Sequence, residues 1–167
     1  MGKLYKLKCT GCENEDEYFV GVGFNYPDVY QSIMDEAKAG RIGKRLKKFL
    51  EENPEGVIDP TLVLAYCPKC HEIYTANRLS CYLPLPGYKR EFPRKTRWSS
   101  FKPYFHIDYV SPGDFTEHYS LVAPYGHRCS NCRSKMLLID ENDLDSFQFR
   151  CSCCQSRMEL ENSGSWD

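Results

Sequence analysis

Eight of the ten cysteines in this 167-residue chain fall into four Cys-x-x-Cys pairs: Cys9/Cys12, Cys67/Cys70, Cys129/Cys132 and Cys151/Cys154. A Cys-x-x-Cys turn puts two sulfurs on one side of a tight loop, and two such turns complete a tetrahedron around a metal ion. The ligand count is that of two tetrathiolate sites, so any fold open to this chain must bring the pairs together two by two. Taken in chain order, they predict one site at Cys9, Cys12, Cys67 and Cys70 and a second at Cys129, Cys132, Cys151 and Cys154. The expected metal is Zn2+ at both, in a structural role. Four thiolates leave no open coordination position, whereas catalytic zinc keeps one and usually counts His or carboxylate among three protein ligands. Iron in the same sulfur tetrahedron is the alternative metal. A thiol-redox role for a single pair needs a strand-to-helix setting, and none of the four pairs opens a helical pattern. Cys81 and Cys153 are surplus: Cys81 reads as a small buried apolar residue, and the repeated two-residue spacing selects Cys154 over Cys153 as ligand.

The length suits one domain or two small ones, and small cores gain most from metal sites. Twelve Tyr, nine Phe and two Trp argue against general disorder. The first residues lack the apolar stretch of a secretory signal, Lys6 stands where a myristoylation signal wants Ser or Thr, and no apolar run is long enough for a membrane span. Many thiols without a signal point to the cytoplasm, where metal binding prevails over disulfides. A formal charge of −1 excludes a chain-wide polyanion binder, yet residues 81–128 carry seven Lys/Arg against four acids, and residues 129–167 carry four against seven.

Along the chain, residues 4–7 read as a strand entering the first turn and residues 18–24 as a returning strand. Gly21 and Gly23 lack the spacing of a dinucleotide fingerprint and suit a bend or a close backbone approach. Pro27 and Asp28 begin a helix whose apolar stripe is Val29, Tyr30, Ile33, Met34 and Ala37, with Gly40 as its cap. Helical periodicity resumes at Ile42, Leu46, Phe49 and Leu50, and residues 61–66 form a strand into Cys67. The 54 residues between Cys12 and Cys67 make a helical insertion, which a slow logarithmic closure cost tolerates. Eighteen residues between Cys132 and Cys151 fall within the usual four-cysteine spacing. The fold class is α+β: two zinc ribbons of short antiparallel hairpins, the first with a helical insertion. The expected domains are a ribbon at 1–82, a basic, aromatic connector at 83–120 and a second ribbon at 121–167. The turn-hairpin-turn organisation recurs only coarsely, without a sequence repeat.

Two basic segments stand out. Arg41, Lys44, Arg45 and Lys48 share one helical face, which by default is solvated. Lys89, Arg90, Arg94, Lys95, Arg97 and Lys102, set among Tyr88, Phe92, Trp98, Phe101 and Tyr104, combine phosphate-binding cations with stacking faces, as single-stranded nucleic-acid sites do. The same segment also fits an irregular loop packing its aromatics on the ribbons. No spacing argument brings His71, His106, His118 or His127 to Cys81, as a catalytic thiol would require.

Residues Tyr5-Lys6-Leu7-Lys8-Cys9 with Cys12, then Val20-Gly21-Val22-Gly23 with Tyr26-Pro27, then Cys67 with Cys70 after a helical insert, give the N-terminal half a pattern that resembles small bacterial zinc-ribbon proteins. The resemblance covers about the first eighty residues; it implies zinc at those four cysteines and carries no activity. The expected function is a zinc-stabilised binding or adaptor module associating with nucleic acid or a nucleic-acid-handling complex. A protein–protein adaptor without nucleic-acid contact is the second reading, and an enzyme with its site between the two halves is the third.

Overall fold

A computed structural model of the chain describes residues 2–89 and 108–166. In chain order its elements are β1 (Gly2–Cys9), β2 (Glu15–Val20), α1 (Tyr26–Ala39), α2 (Lys44–Glu52), β3 (Val57–Ile58), β4 (Leu62–Tyr66), β5 (Ile73–Asn77), β6 (Cys81–Pro84), α3 (Pro112–Glu117), β7 (Tyr119–Ala123), β8 (Leu137–Ile139) and β9 (Met158–Trp166), with a 3-10 turn at Glu141–Ser146. The fold is α+β with small antiparallel sheets, as the sequence indicates. The chain divides into two compact units that interleave along it. The first comprises residues 1–24, 61–78 and 125–167, the second residues 25–60 and 79–124. This differs from three consecutive segments: the helical insertion and the described ends of the connector belong together in the second unit.

The first unit holds two three-stranded sheets, ordered β2-β1-β9 and β5-β4-β8. In β1 the inward residues Tyr5, Leu7 and Cys9 alternate with Lys6 and Lys8, the period-two pattern of a strand with one wet face. Strand β4 is different, because Val63, Leu64, Ala65 and Tyr66 are all buried. Alternation then sends Leu64 and Tyr66 into a core with Tyr5, Leu7, Phe149 and Met158, while Ala65 and Cys67 enter a second core with Cys129 and Met136. A continuous apolar run here marks a strand with a core on each face. Gly21, at φ 90°, exchanges both backbone hydrogen bonds with Leu62 at 2.8 and 3.1 Å, the close approach its missing side chain suggested.

In the second unit, β3, β6 and β7 form a sheet in the order β3-β6-β7. Helix α1 begins with Pro27 and Asp28 in its first turn and ends at Gly40, which takes φ 78° and donates its amide to Ala37 O at 2.9 Å. Its buried stripe is Tyr26, Tyr30, Ile33, Met34 and Ala37; Val29, expected among them, is 40% exposed, because the stripe runs one residue round the helix. Among the described residues, no helix is long and apolar enough to cross a membrane.

Leu64 is completely buried, so Leu64→Ala should leave a cavity and lower stability by about 2–5 kcal/mol in urea unfolding at saturating metal. A loss under about 1 kcal/mol would contradict the packing described for β4.

Candidate metal centres

All four Cys-x-x-Cys turns follow one plan. The residue before the first cysteine pairs with the residue six after that cysteine: Lys8 with Glu15, Tyr66 with Ile73, Arg128 with Lys135, Arg150 with Arg157. The amide of the first cysteine donates 2.9 Å to a carbonyl five residues on, at Asn14, Glu72, Ser134 and Ser156. In the last three turns the residue after the second cysteine is left-handed, with φ 61° at His71, 63° at Arg133 and 62° at Gln155. Each of these donates its amide to the carbonyl of the first cysteine. Such backbone is uncommon outside glycine, and here it folds the loop so that both sulfurs leave on one side.

The turns meet in two clusters, Cys9/Cys12/Cys151/Cys154 and Cys67/Cys70/Cys129/Cys132, each with its four sulfurs within 4.8 Å of one another. The chain-order pairing is thus corrected, although the eight cysteines are those expected. The cause lies in the sheets. Strand β1 runs antiparallel to β9 with Cys9 opposite Met158, which seats the first turn against the fourth. Strand β4 pairs with β8, Tyr66 opposite Leu137, which seats the second turn against the third. The sulfur contacts are 3.3 Å for Cys9–Cys154, 3.7 Å for Cys12–Cys151, 3.4 Å for Cys67–Cys132 and 3.5 Å for Cys70–Cys129. A tetrahedron with 2.3 Å metal–sulfur bonds needs about 3.8 Å between sulfurs, so a metal fits after sulfur shifts of about half an ångström or less. No cysteine is in a disulfide. The donor set fits a thiophilic tetrahedral ion, and two such clusters can each hold one.

Hydrogen bonds divide the ligands within each cluster. The Ser134 hydroxyl, followed by its backbone amide, holds the Cys132 thiol down to about 6, and Ser156 does the same for Cys154. Cys12 is pushed up to about 12: the backbone at Asn14 lowers it, but hydrogen bonds from Cys154 and Cys9 and burial outweigh that. Cys70 is also pushed up to about 12, burial and its cysteine neighbours overcoming the backbone at Glu72. Cys151, despite its burial, is also held below the usual thiol value by the backbone at Cys154 and Cys153, and metal binding must displace the protons that remain.

The two serines escape a reading of cysteine spacing alone, yet the signal is present. Arg128-Cys129-Ser130-Asn131-Cys132-Arg133-Ser134-Lys135-Met136 and Arg150-Cys151-Ser152-Cys153-Cys154-Gln155-Ser156-Arg157-Met158 are identical at six of nine positions. A local repeat exists where only a coarse one was expected, and its shared residues have matching roles. Arg128 and Arg150 each donate from Nη1 at 3.3 Å to the carbonyl of the left-handed residue. Met136 and Met158 are both buried and donate their amides at 3.0 Å to His127 O and Phe149 O.

The other candidates separate. Cys153 is exposed and outside the clusters; its amide, not its sulfur, contributes, donating to Cys151 Sγ at 3.4 Å. Cys81 is buried, which pushes its thiol up. His71 accepts or donates at Nδ1 with Tyr66 Oη, 2.7 Å away, and His118 stacks on Tyr88 at 4.4 Å. His127 is held below its usual value by burial. His106 lies outside the described residues. So do Arg90, Arg94, Lys95, Arg97, Trp98 and Lys102 of the basic, aromatic segment; only Lys89 is described, and it is exposed. The second unit contains a cavity of about 710 Å³, whose described lining includes Tyr30, Lys38, Lys47, Glu55 and Tyr119 and no histidine or cysteine. Comparison with family models, curated proteins and solved structures gave no match.

Paired substitutions read the ligand assignment directly. Cys12→Ser with Cys154→Ser removes ligands from one cluster and should leave one of the two metal ions bound; Cys12→Ser with Cys70→Ser strikes both and should leave none. Chain-order pairing requires the opposite outcome for each, with metal analysis as the readout. Ser134→Ala should weaken metal binding about 10- to 100-fold in chelator competition, as loss of a hydrogen bond to a ligand does; an unchanged affinity would remove the serine's role.

Proposed function

We propose that this chain is a non-catalytic binding module of zinc-ribbon type, held together by two structural Zn2+ ions and working in the cytoplasm in association with nucleic acid or a nucleic-acid-handling complex. The observation that carries the structural half is the closed ligand set: four sulfurs in each cluster, with Cys9, Cys67, Cys129 and Cys151 buried. A tetrathiolate shell has no vacancy for water or substrate, which is the arrangement of structural zinc. The four knuckles with amides turned toward sulfur, as at Gly11 N to Cys9 Sγ at 3.3 Å, support the same reading.

Metal analysis of the purified protein should give two zinc ions per chain. Removing them with a strong chelator should unfold the first unit, because metal binding supplies folding energy there. Cys132→Ser should cost stability and solubility first. A metal-free preparation with unchanged circular dichroism and melting temperature, or a disulfide within any of the four pairs, would overturn the proposal.

A further inference from the structure

The charge pattern of α2 runs against the needs of the helix that carries it. From Ala37 to Leu50 the chain has six cations, Lys38, Arg41, Lys44, Arg45, Lys47 and Lys48, and no acid. The first turn of α2 contains no acidic residue, and no side chain caps it at Gly43; the acids Glu51 and Glu52 sit at the opposite end. A helix N-terminus carries partial positive charge, so it is stabilised by nearby acids and destabilised by cations. Here Lys44 and Arg45 occupy the first turn with Arg41 just before it. A sequence serving only the helix would reverse these signs.

Arg41, in the turn before α2, and Lys44, Arg45 and Lys48, which share one face of α2, are all exposed; Gly43 at φ 130° interrupts the helical path, so the four-residue helical face expected from the sequence shortens to three. Lys48 is 3.6 Å from Glu52, and Lys47, half-buried beside them, is 3.8 Å from Glu51. No carboxylate among the described residues pairs with Arg41, Lys44 or Arg45. Three of these four cations thus lack a carboxylate partner, and Lys44 to Lys48 span about 6 Å of α2, from the 1.5 Å rise per helical residue, with Arg41 just before them. That length spans about two nucleotides of one duplex strand at 3.4 Å each.

From this geometry we infer that Lys44, Arg45 and Lys48 of α2, with Arg41 in the turn before it, bind the phosphate backbone of duplex nucleic acid. The inference rests on the binding-module reading and names its partner and surface. An anionic membrane is the poorer fit: Leu46 and Leu50 are buried within the second unit, so α2 has no apolar face to insert between lipids. A single strand fits less well too, because these four residues include no aromatic on which an unpaired base can stack. A duplex keeps its bases stacked inside and offers phosphates alone, which matches a face of cations alone. Contacts of this kind fix position without reading sequence.

The test is binding of the full chain to a duplex of arbitrary sequence, with zinc content and melting temperature measured on every sample. With three to four phosphates neutralised, the log-log salt slope should be about −2.7 to −3.6, so affinity falls about 40- to 150-fold between 50 and 200 mM salt. Arg41→Gln, Lys44→Gln and Arg45→Gln together should weaken binding at low salt and reduce the magnitude of that slope by about 2.7. Lys44→Glu with Arg45→Glu should abolish binding while leaving the melting temperature equal or higher, since those charges suit the helix better. Both variants should keep the zinc content of the parent chain. A triple variant that binds with unchanged slope would overturn the assignment to α2 and leave the binding module standing. Equal affinity for anionic vesicles or for poly-glutamate would overturn the choice of partner, and no duplex binding at low salt by zinc-loaded protein would overturn the inference itself. Absence of zinc would strike the metal reading separately.

Discussion

The antiparallel pairing of β1 with β9 decides where both metal clusters form. It fixes Cys9 opposite Met158 and so commits the first knuckle to the fourth, leaving the second and third to each other. The partners Cys12 and Cys151 are 139 residues apart in the chain, and Cys70 and Cys129 are 59 apart. The clusters are therefore nested, one closing inside the other. Strand β4 lies between them in the packing of the first unit, its alternate side chains reaching one core or the other, and each core has a sulfur cluster at its edge. Residues 25–60 and 79–124, which make the second unit, leave and rejoin the first unit between its strands.

What the sequence discloses follows from how local each signal is. The cysteine turns are self-contained, so ligand identity was legible from spacing alone. The helices were legible from Pro27, Gly40 and the apolar period, with a one-residue error in the stripe at Val29. Partnership between turns is not local. It depends on β9, whose sequence Met158–Trp166 is mostly exposed, with only its first residue buried, and therefore lacks the alternation that announces a strand. Without β9, chain order is the only guide to pairing, and chain order misleads when closures nest. The Ser134 and Ser156 contacts were hidden for another reason: each serine lies two residues past a ligand cysteine, where a reading of the spacing between cysteines does not register it.

The knuckles also show how a single backbone plan accommodates unlike side chains. His71, Arg133 and Gln155 share a left-handed backbone with nothing chemical in common, because the hydrogen bonds around each cysteine turn specify the conformation. Each cluster joins one knuckle of the Arg-Cys-Ser kind to one of another sequence, Cys9-Thr10-Gly11-Cys12 or Cys67-Pro68-Lys69-Cys70. The serine-supported thiolate and the high-lying thiol thus always come from opposite halves of a cluster.

Nested closure has a consequence for the order of events on the ribosome. The chain emerges from its N-terminus, so Cys9 and Cys12 appear first and must wait for Cys151 and Cys154, while the inner quartet is complete once Cys132 is out. Closing the inner quartet first shortens the loop that the outer one must still close, which lowers its remaining entropy cost. Throughout that interval the first knuckle is a dithiol without its partners, open to whatever thiophile the cell supplies. A metal taken up by the inner cluster would thus nucleate early, whereas the outer cluster can close only once Cys154 has emerged.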